Sequence, residues 1–323
     1  MNNWRIGDLV EQRTGYGEAL LELGEQRQDI IVMDSDLQRS NKTYAFGQQF
    51  PERFFDMGIA EADMVSTAAG MAAMGYTVFV NSFAMFLPGR CYDQIRLQAS
   101  YGNANLKLGG ISAGITIGSD GASHQALDDI GLMRQLPNFT VIVPADATET
   151  YQATLEAARI KGPVYLRVSR YPSPVIYESR HQFVPGKPDL VKEGEDVVLF
   201  ATGIMVEKGL QAAQLLEKKG VSAMLVNIST IKPLKEETLQ SFWNGKRLIV
   251  TLEEHSIIGG LGSAVAEVAA ESTSAPVLVR LGIRDCFGQS GSAEALLEYY
   301  GLTPHQISDS ILKSLLFNSK GAA

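Results

Sequence analysis

The chain has 323 residues, 45% of them hydrophobic and 20% charged, enough for two cores of ordinary size at roughly 100–200 residues per domain, so a small stapled scaffold and a largely disordered chain are excluded. The 28 basic and 36 acidic residues leave a formal charge of -8, which argues against a broad cationic surface for nucleic-acid backbones. Any bound phosphate is expected to be held by a few placed groups.

The two cysteines, Cys91 and Cys286, are too far apart in sequence to suggest a disulfide framework or a thiolate zinc site. The opening Met-Asn-Asn-Trp-Arg-Ile-Gly-Asp shows no basic-then-apolar secretory pattern, and no run reaches the roughly 18 apolar residues of a membrane span. These features predict a soluble, cytoplasmic protein.

Along residues 30–168, short apolar runs alternate with helical patterns, as expected of a parallel sheet covered on both faces. Strands are predicted at 30–33, 77–80, 140–143 and 164–168, with helices at 61–74, 90–101 and 147–160. Pro172, Pro174, Pro185 and Pro188, together with Gly186 and Gly194, then interrupt regular structure. They place a linker at 176–194, between a first domain at 1–175 and a second at 195–323. In the second, strands are predicted at 197–201, 223–227, 247–252 and 277–280 and helices at 207–218 and 261–270. Two closing helices follow at 293–300 and 304–315, the latter opened by a proline suited to a first turn. The fold class is α/β, with two successive α/β domains and mostly parallel sheets.

Several polar segments interrupt this pattern. Asp34-Ser35-Asp36-Leu37-Gln38-Arg39-Ser40-Asn41 follows the first strand and is either a ligand loop or a solvated connection. Glu61 begins an Ala-rich helix after Phe54-Phe55, where a helix dipole favours an anion and the C-terminal edge of a parallel sheet forms a crevice; an ordinary helix-start carboxylate is the other reading. Phe79, Phe83 and Phe86 suit either a stacking wall or a buried aromatic cluster. In Asp120-Gly121-Ala122-Ser123-His124-Gln125, His124 is placed to bind a phosphate or sugar hydroxyl or to exchange a proton, unless it only caps a helix. Arg167 and Arg170 offer donor forks for phosphate, carboxylate or an interface acid. Glu253-Glu254-His255 suggests acid-base chemistry by composition alone, with a turn or subunit contact as the alternative. Gly259-Gly260-Leu261-Gly262 more often relieves packing than cradles phosphate. Neither a Gly-x-x-x-x-Gly-Lys loop nor a Gly-x-Gly-x-x-Gly after the first strand is present, which weighs against simple nucleotide hydrolases and dinucleotide enzymes.

Taken together, the segment 36–40, Gly58-Ile59-Ala60-Glu61, the 83–96 region, the 120–125 loop, Ser169-Arg170 and the 253–262 stretch resemble the pyrimidine-binding and C-terminal domains of thiamine-diphosphate-dependent transketolases. The resemblance covers nearly the whole chain and is closest to the second polypeptide of a split enzyme. It implies that Glu61 hydrogen-bonds the aminopyrimidine ring and promotes its imino form. Phe86 and Phe83 are implied as the aromatic wall, Asp36 as an acid near the cofactor cleft, and His124 and Asp120 as sugar contacts. Ser40 and Arg170 match the residues that hold the sugar's terminal phosphate.

Two departures qualify the match. The usual Asp-Gly-Pro-Thr-His pattern is here Asp-Gly-Ala-Ser-His, so Ser123 keeps a hydroxyl while Ala122 removes a proline restraint; a modified or branched sugar phosphate is then as permissible as a pentose phosphate. The sequence also lacks a Gly-Asp-Gly with a following asparagine, the pattern that binds Mg²⁺ and diphosphate. The resemblance therefore implies a partner subunit carrying that domain, with two copies of each chain. A 1-deoxyxylulose-5-phosphate synthase-like or 2-oxoacid dehydrogenase beta-like subunit, or a noncatalytic scaffold, are the alternatives.

Overall fold

The computed structural model describes residues 4–320. Strand β1 (Leu9–Glu11) runs directly into helix α1 (Gln12–Gln26), followed by β2 (Ile30–Asp34), short helices α2 (Gln38–Asn41) and α3 (Tyr44–Gln49), and β3 (Phe54–Asp56). Next come α4 (Glu61–Ala73), β4 (Thr77–Phe83), α5 (Leu87–Arg90), α6 (Tyr92–Gln94), a π-helical stretch at Ile95–Tyr101, and β5 (Leu106–Ile111). A 3-10 segment (Ile115–Asp120), α7 (Asp129–Arg134), β6 (Thr140–Ile142), α8 (Ala147–Ala157), β7 (Val164–Val168) and β8 (Pro172–Pro174) complete the first half. The second half contains β9 (Asp189–Lys192), β10 (Val197–Ala201), α9 (Met205–Glu217), β11 (Ala223–Asn227), β12 (Thr230–Lys232) and α10 (Glu236–Trp243). It ends with β13 (Leu248–Ser256), α11 (Leu261–Glu271), β14 (Leu278–Ile283), α12 (Ala293–Tyr299) and α13 (Pro304–Lys320).

Strands β2, β4, β5 and β7 are buried along their whole length, which explains their nearly continuous apolar runs. They form the centre of a sheet ordered β12-β6-β7-β5-β4-β2-β3, parallel except where β12 meets β6. The second sheet is ordered β14-β13-β10-β11-β9, again parallel apart from β9. The expected pair of mostly parallel α/β units is present. Strand β12 nevertheless comes from the second half and edges the first sheet, and Val141 and Val143 share one core with Ile228, Ile231 and Trp243. Among the described residues, no helix is long and apolar enough to cross a membrane.

The predicted helix at 90–101 is instead broken into α5, α6 and the π-helical stretch. Within 176–194, β9 joins the second sheet, and β8 just before it pairs with β1. Glu253-Glu254-His255 is neither a turn nor a subunit contact: β13 continues through all three residues, and each is buried. Glu253 accepts the Leu261 and Gly262 N–H groups at 2.8 Å each. A Cβ on Gly260 would fall 1.9 Å from Glu253 Oε2, so this glycine permits the close turn into α11. Burial pushes Glu253 and Glu254 up to about 7 and His255 down to about 4, as expected for groups whose charged forms lose solvation.

The two halves are joined by a polar contact around Arg167. Its Nε donates to Asp129 Oδ2 at 2.8 Å, and Nη2 donates to the Ala126 and Glu254 carbonyls at 3.1 Å each. Tyr165 donates to the same Asp129 oxygen at 2.7 Å. Both charged groups are almost fully shielded, at 4% and 1% side-chain exposure. Removing one partner of such a pair costs about 3–5 kcal/mol because the other charge is left buried. Arg167→Met is expected to lower stability by that amount in urea unfolding; an unchanged midpoint would remove this contact from the account of domain joining.

Candidate active site

The C-terminal ends of β2, β4 and β5 release three loops onto one edge of the first sheet. Asp34, at the end of β2, organises the first loop. Its carboxylate accepts the Leu37 N–H at 2.7 Å, Asn41 Nδ2 at 3.0 Å and Thr43 Oγ1 at 2.7 Å. Burial still raises its pKa to about 6, because desolvation outweighs these donors. The turn sets Asp36 in an exposed, left-handed conformation at φ 61°, with its N–H donated to Asp56 Oδ1 at 3.0 Å. Ser40 lies on α2, where its carbonyl accepts Arg13 Nη1 at 2.9 Å.

Glu61 is the first residue of α4 and is only 4% exposed. Its carboxylate accepts Ser82 Oγ at 3.1 Å and Arg90 Nη1 at 3.1 and 3.2 Å. Arg90 also lies over Phe86, 3.9 Å from the ring centroid. Phe86 stacks on Phe83 at 6.0 Å and 19°. The His124 ring meets Phe86 edge-on at 5.1 Å and Phe83 at 6.2 Å, while Ser123 Oγ is 3.0 Å from His124 Nδ1. Glu61, Phe83, Phe86 and His124 thus meet through a single chain of contacts. Phe79 does not join them: it is buried in a separate core with Tyr16.

Arg170 donates Nη2 to the Ile117 carbonyl and, at 2.9 Å, to Asp120 Oδ1. Both arginines at 13 and 170 line a cleft of about 580 Å³, together with Thr116, Ser119 and, from the second half, Ser292 and Glu294. Ser40 is outside this lining and reaches it through Arg13, whose guanidinium is also gripped by Glu11 at 3.0 and 2.6 Å. The sequence reading missed Arg90, Ser82 and Arg13. Arg90 carried a signal of a kind, since it is the first cation after the Phe83–Phe86 pair; Ser82 and Arg13 carried none. It also missed the second half's part in the site: Gln125 Nε2 donates to the Gln289 carbonyl at 2.9 Å, fixing the 120–125 loop from across the joint.

Comparison with known proteins places both halves of the chain in one family. Residues 9–174 match the transketolase pyrimidine-binding domain, and residues 186–307 match the transketolase C-terminal domain. A Methanocaldococcus jannaschii protein named "Putative transketolase C-terminal section" is 45% identical over 305 residues, covering 94% of this chain and 96% of that one. The 6-deoxy-6-sulfo-D-fructose transketolase subunit SqwH of Clostridium sp. is 40% identical over 295 residues and 91% of each chain. A solved structure described as a split gene transketolase, inactive beta4 tetramer, has a TM-score of 0.88 and 44% identity, covering 95% of this chain and 99% of that one. The chain belongs to the transketolase family, as a subunit of the split type.

The Asp34 carboxyl allows a test of the loop's electrostatics. Its pKa in the folded chain is raised above the ordinary value, so its favourable contribution is present at low pH and is lost as pH rises toward and through about 6. Relative to Asp34→Asn, which stays neutral throughout, the unmodified chain is expected to lose on the order of 1–3 kcal/mol between about pH 4 and about pH 7.5. Urea unfolding of both proteins at the two pH values measures this; a difference moving the other way would mean that the buried carboxylate is stabilised in its charged form.

Proposed function

We propose that this chain is the cofactor-activating subunit of a split transketolase, which transfers a two-carbon ketol unit from a ketose phosphate to an aldose acceptor using thiamine diphosphate. The carrying observation is Glu61, a shielded carboxylate beside a stacked aromatic pair. A flat N–H-bearing group already fits there: the Arg90 guanidinium donates to Glu61 and covers Phe86. Arg90 is 49% exposed whereas Glu61 is 4% exposed, so the arginine is able to leave while the carboxylate stays. A planar aminopyrimidine suits the vacated space.

When bound, the cofactor supplies the carbanion chemistry. Glu61 is assigned to hold, and exchange a proton with, a ring nitrogen. Phe83 and Phe86 exclude water from one face, and Asp36 borders the cofactor cleft. His124 stands against both rings, where its imidazole is placed to contact the sugar and shuttle a proton. Asp120 is assigned to a substrate hydroxyl, with Arg170 and Ser40 at the terminal phosphate. This division of work orients the donor carbonyl toward the aromatic wall. The 1–175 and 195–323 units are taken as the two domains, with 176–194 as the linker.

The diphosphate and Mg²⁺ are assigned to a separate subunit, because this sequence has no Gly-Asp-Gly followed by asparagine. Ile59 is 77% exposed two residues before Glu61, and Tyr101 and Leu97 are 87% and 49% exposed; these apolar groups suit coverage by that partner. The names of the relatives, a subunit and a C-terminal section, support the same division, as does the inactive beta4 state of the split-gene homologue. Two copies of each chain are the proposed assembly. The sulfo-sugar relative and the Ala122-Ser123 loop favour a donor whose terminal group is a tetrahedral anion on a modified sugar. Both cysteines are free, in keeping with a reducing cytoplasm.

The purified chain alone is expected to show no ketol transfer, and the reconstituted complex to be active with a ketose phosphate rather than pyruvate. In that complex Glu61→Gln is expected to lower kcat by at least about 10²-fold with the cofactor still bound, the scale of a lost proton-transfer group. Near-full activity of the variant would reject the role of Glu61, and pyruvate decarboxylation without ketol transfer would reject the transketolase reading. Arg170→Ala is expected to raise KM for the phosphorylated donor more than it lowers kcat, a pattern of lost ground-state binding.

A further inference from the structure

Away from the proposed active site, the 176–194 segment brings a second set of polar groups together. Glu149 lies in the first turn of α8, which covers the first sheet, and Asp189 begins β9 of the second sheet; His181 comes from the segment between β8 and β9. One donor atom from each residue falls within 4.8 Å of the other two. We propose that Glu149, His181 and Asp189 form a divalent-metal site that takes Zn²⁺ and ties the linker to both sheets.

The spacing is the first argument. His181 Nε2 is 3.5 Å from Asp189 Oδ2 and 3.9 Å from Glu149 Oε1. It is shielded from solvent and has no hydrogen-bond partner. Those gaps are long for hydrogen bonds, whereas two ligands at roughly 2.0–2.2 Å from one tetrahedral zinc stand about 3.4 Å apart. A modest closing of the cluster gives three ligands to one ion, with a fourth position left for water.

The surrounding groups already orient these ligands. The Tyr177 ring stacks on His181 at 3.8 Å and 21°. The Glu149 carboxylate is fixed by the Ala145 N–H at 2.6 Å and by Asn227 Nδ2 at 3.1 and 3.0 Å, and the same Asn227 nitrogen donates to Tyr177 Oη at 2.9 Å. Fixing ligand direction through outer partners is a regular property of metal sites.

Charge is the third argument. Asp146, also buried, stands next to this cluster and accepts the Ile176 and Tyr177 N–H groups at 2.7 and 2.9 Å. Among the described residues, neither Lys nor Arg forms an ion pair with Asp146, Glu149 or Asp189, and Lys187 acts on Asp189 only at a distance. Three carboxylates with one imidazole leave an excess of negative charge that a divalent ion offsets more fully than a protonated histidine. One nitrogen with oxygen donors suits zinc better than Mg²⁺ or Ca²⁺, which favour all-oxygen shells.

The test is calorimetric titration of Zn²⁺ into the full chain after dialysis against a chelator, paired with thermal unfolding. Binding of one ion per chain with a raised Tm is expected, together with at least about 10-fold weaker binding by both His181→Gln and Asp189→Asn and unchanged binding by His305→Gln. Co²⁺ in the same site is expected to give the visible absorption of tetrahedral coordination, lost in His181→Gln. The paired conservative variants, checked by circular dichroism, separate loss of a ligand from loss of fold. No binding tighter than about millimolar, or binding by the 181 and 189 variants as tight as that of the unchanged chain, overturns the site and leaves only a histidine–carboxylate ion pair.

Discussion

The buried pair of Arg167 and Asp129 is the constraint on which the arrangement of this molecule rests. A guanidinium removed from water is tolerated only where its donors meet acceptors. Here the acceptors come from three places: the carboxylate of Asp129, the carbonyl of Ala126 and the carbonyl of Glu254. Satisfying that one side chain therefore fixes β7, the loop before α7 and β13 relative to one another. The 120–125 loop ends next to Ala126, whose carbonyl accepts from Arg167, and Arg170 follows Arg167 by three residues. The Asp120–Arg170 contact thus forms between two segments that the Arg167 joint already anchors.

Several buried carboxylates differ from Glu61 in what they touch. Asp34, Glu253 and Asp146 each accept two or more backbone N–H groups or loop side chains and so hold a turn in place. Their pKa values rise through burial, but their lone pairs are committed to the fold. Glu61 has a different set of partners: one hydroxyl and one half-exposed guanidinium. Accessibility of the partner thus sets Glu61 apart from the carboxylates committed to the fold.

How far the sequence could be read depends on the kind of signal each element carries. Strands β2, β4, β7 and β10 are long apolar runs and were legible as such. Strand β5 was not, because Lys107 and two glycines interrupt it. The structure gives the reason for each: Lys107 Nζ is satisfied by Asn105, Ile160 and Gly162 oxygens at 2.8, 2.6 and 2.6 Å, while Cβ atoms on Gly109 and Gly110 would strike Tyr16 and Tyr165. Helix α1 was hidden by Gly15 and Gly17; a Cβ at Gly15 would lie 2.2 Å from the Ala147 carbonyl, so the helix trades propensity for a close approach. The site was legible wherever motif residues sit on one loop, as at 120–124. It was illegible where contact requires distant segments, as with Arg90 on Glu61 or Arg13 on Ser40.

Burial also separates two arginine–aspartate pairs that look alike in the sequence. Arg167 and Arg170 are three residues apart, and each faces an aspartate at 2.8 and 2.9 Å. Arg167 and Asp129 are 4% and 1% exposed, whereas Arg170 and Asp120 are 25% and 28% exposed. The first pair cannot be opened without stranding a charge in the interior. The second is partly solvated, and pairs of that kind contribute about 0–1 kcal/mol, so it opens at little cost. The same two side-chain types, with the arginines three residues apart, thus form a fixed joint on the inside and an easily opened pair beside the cleft.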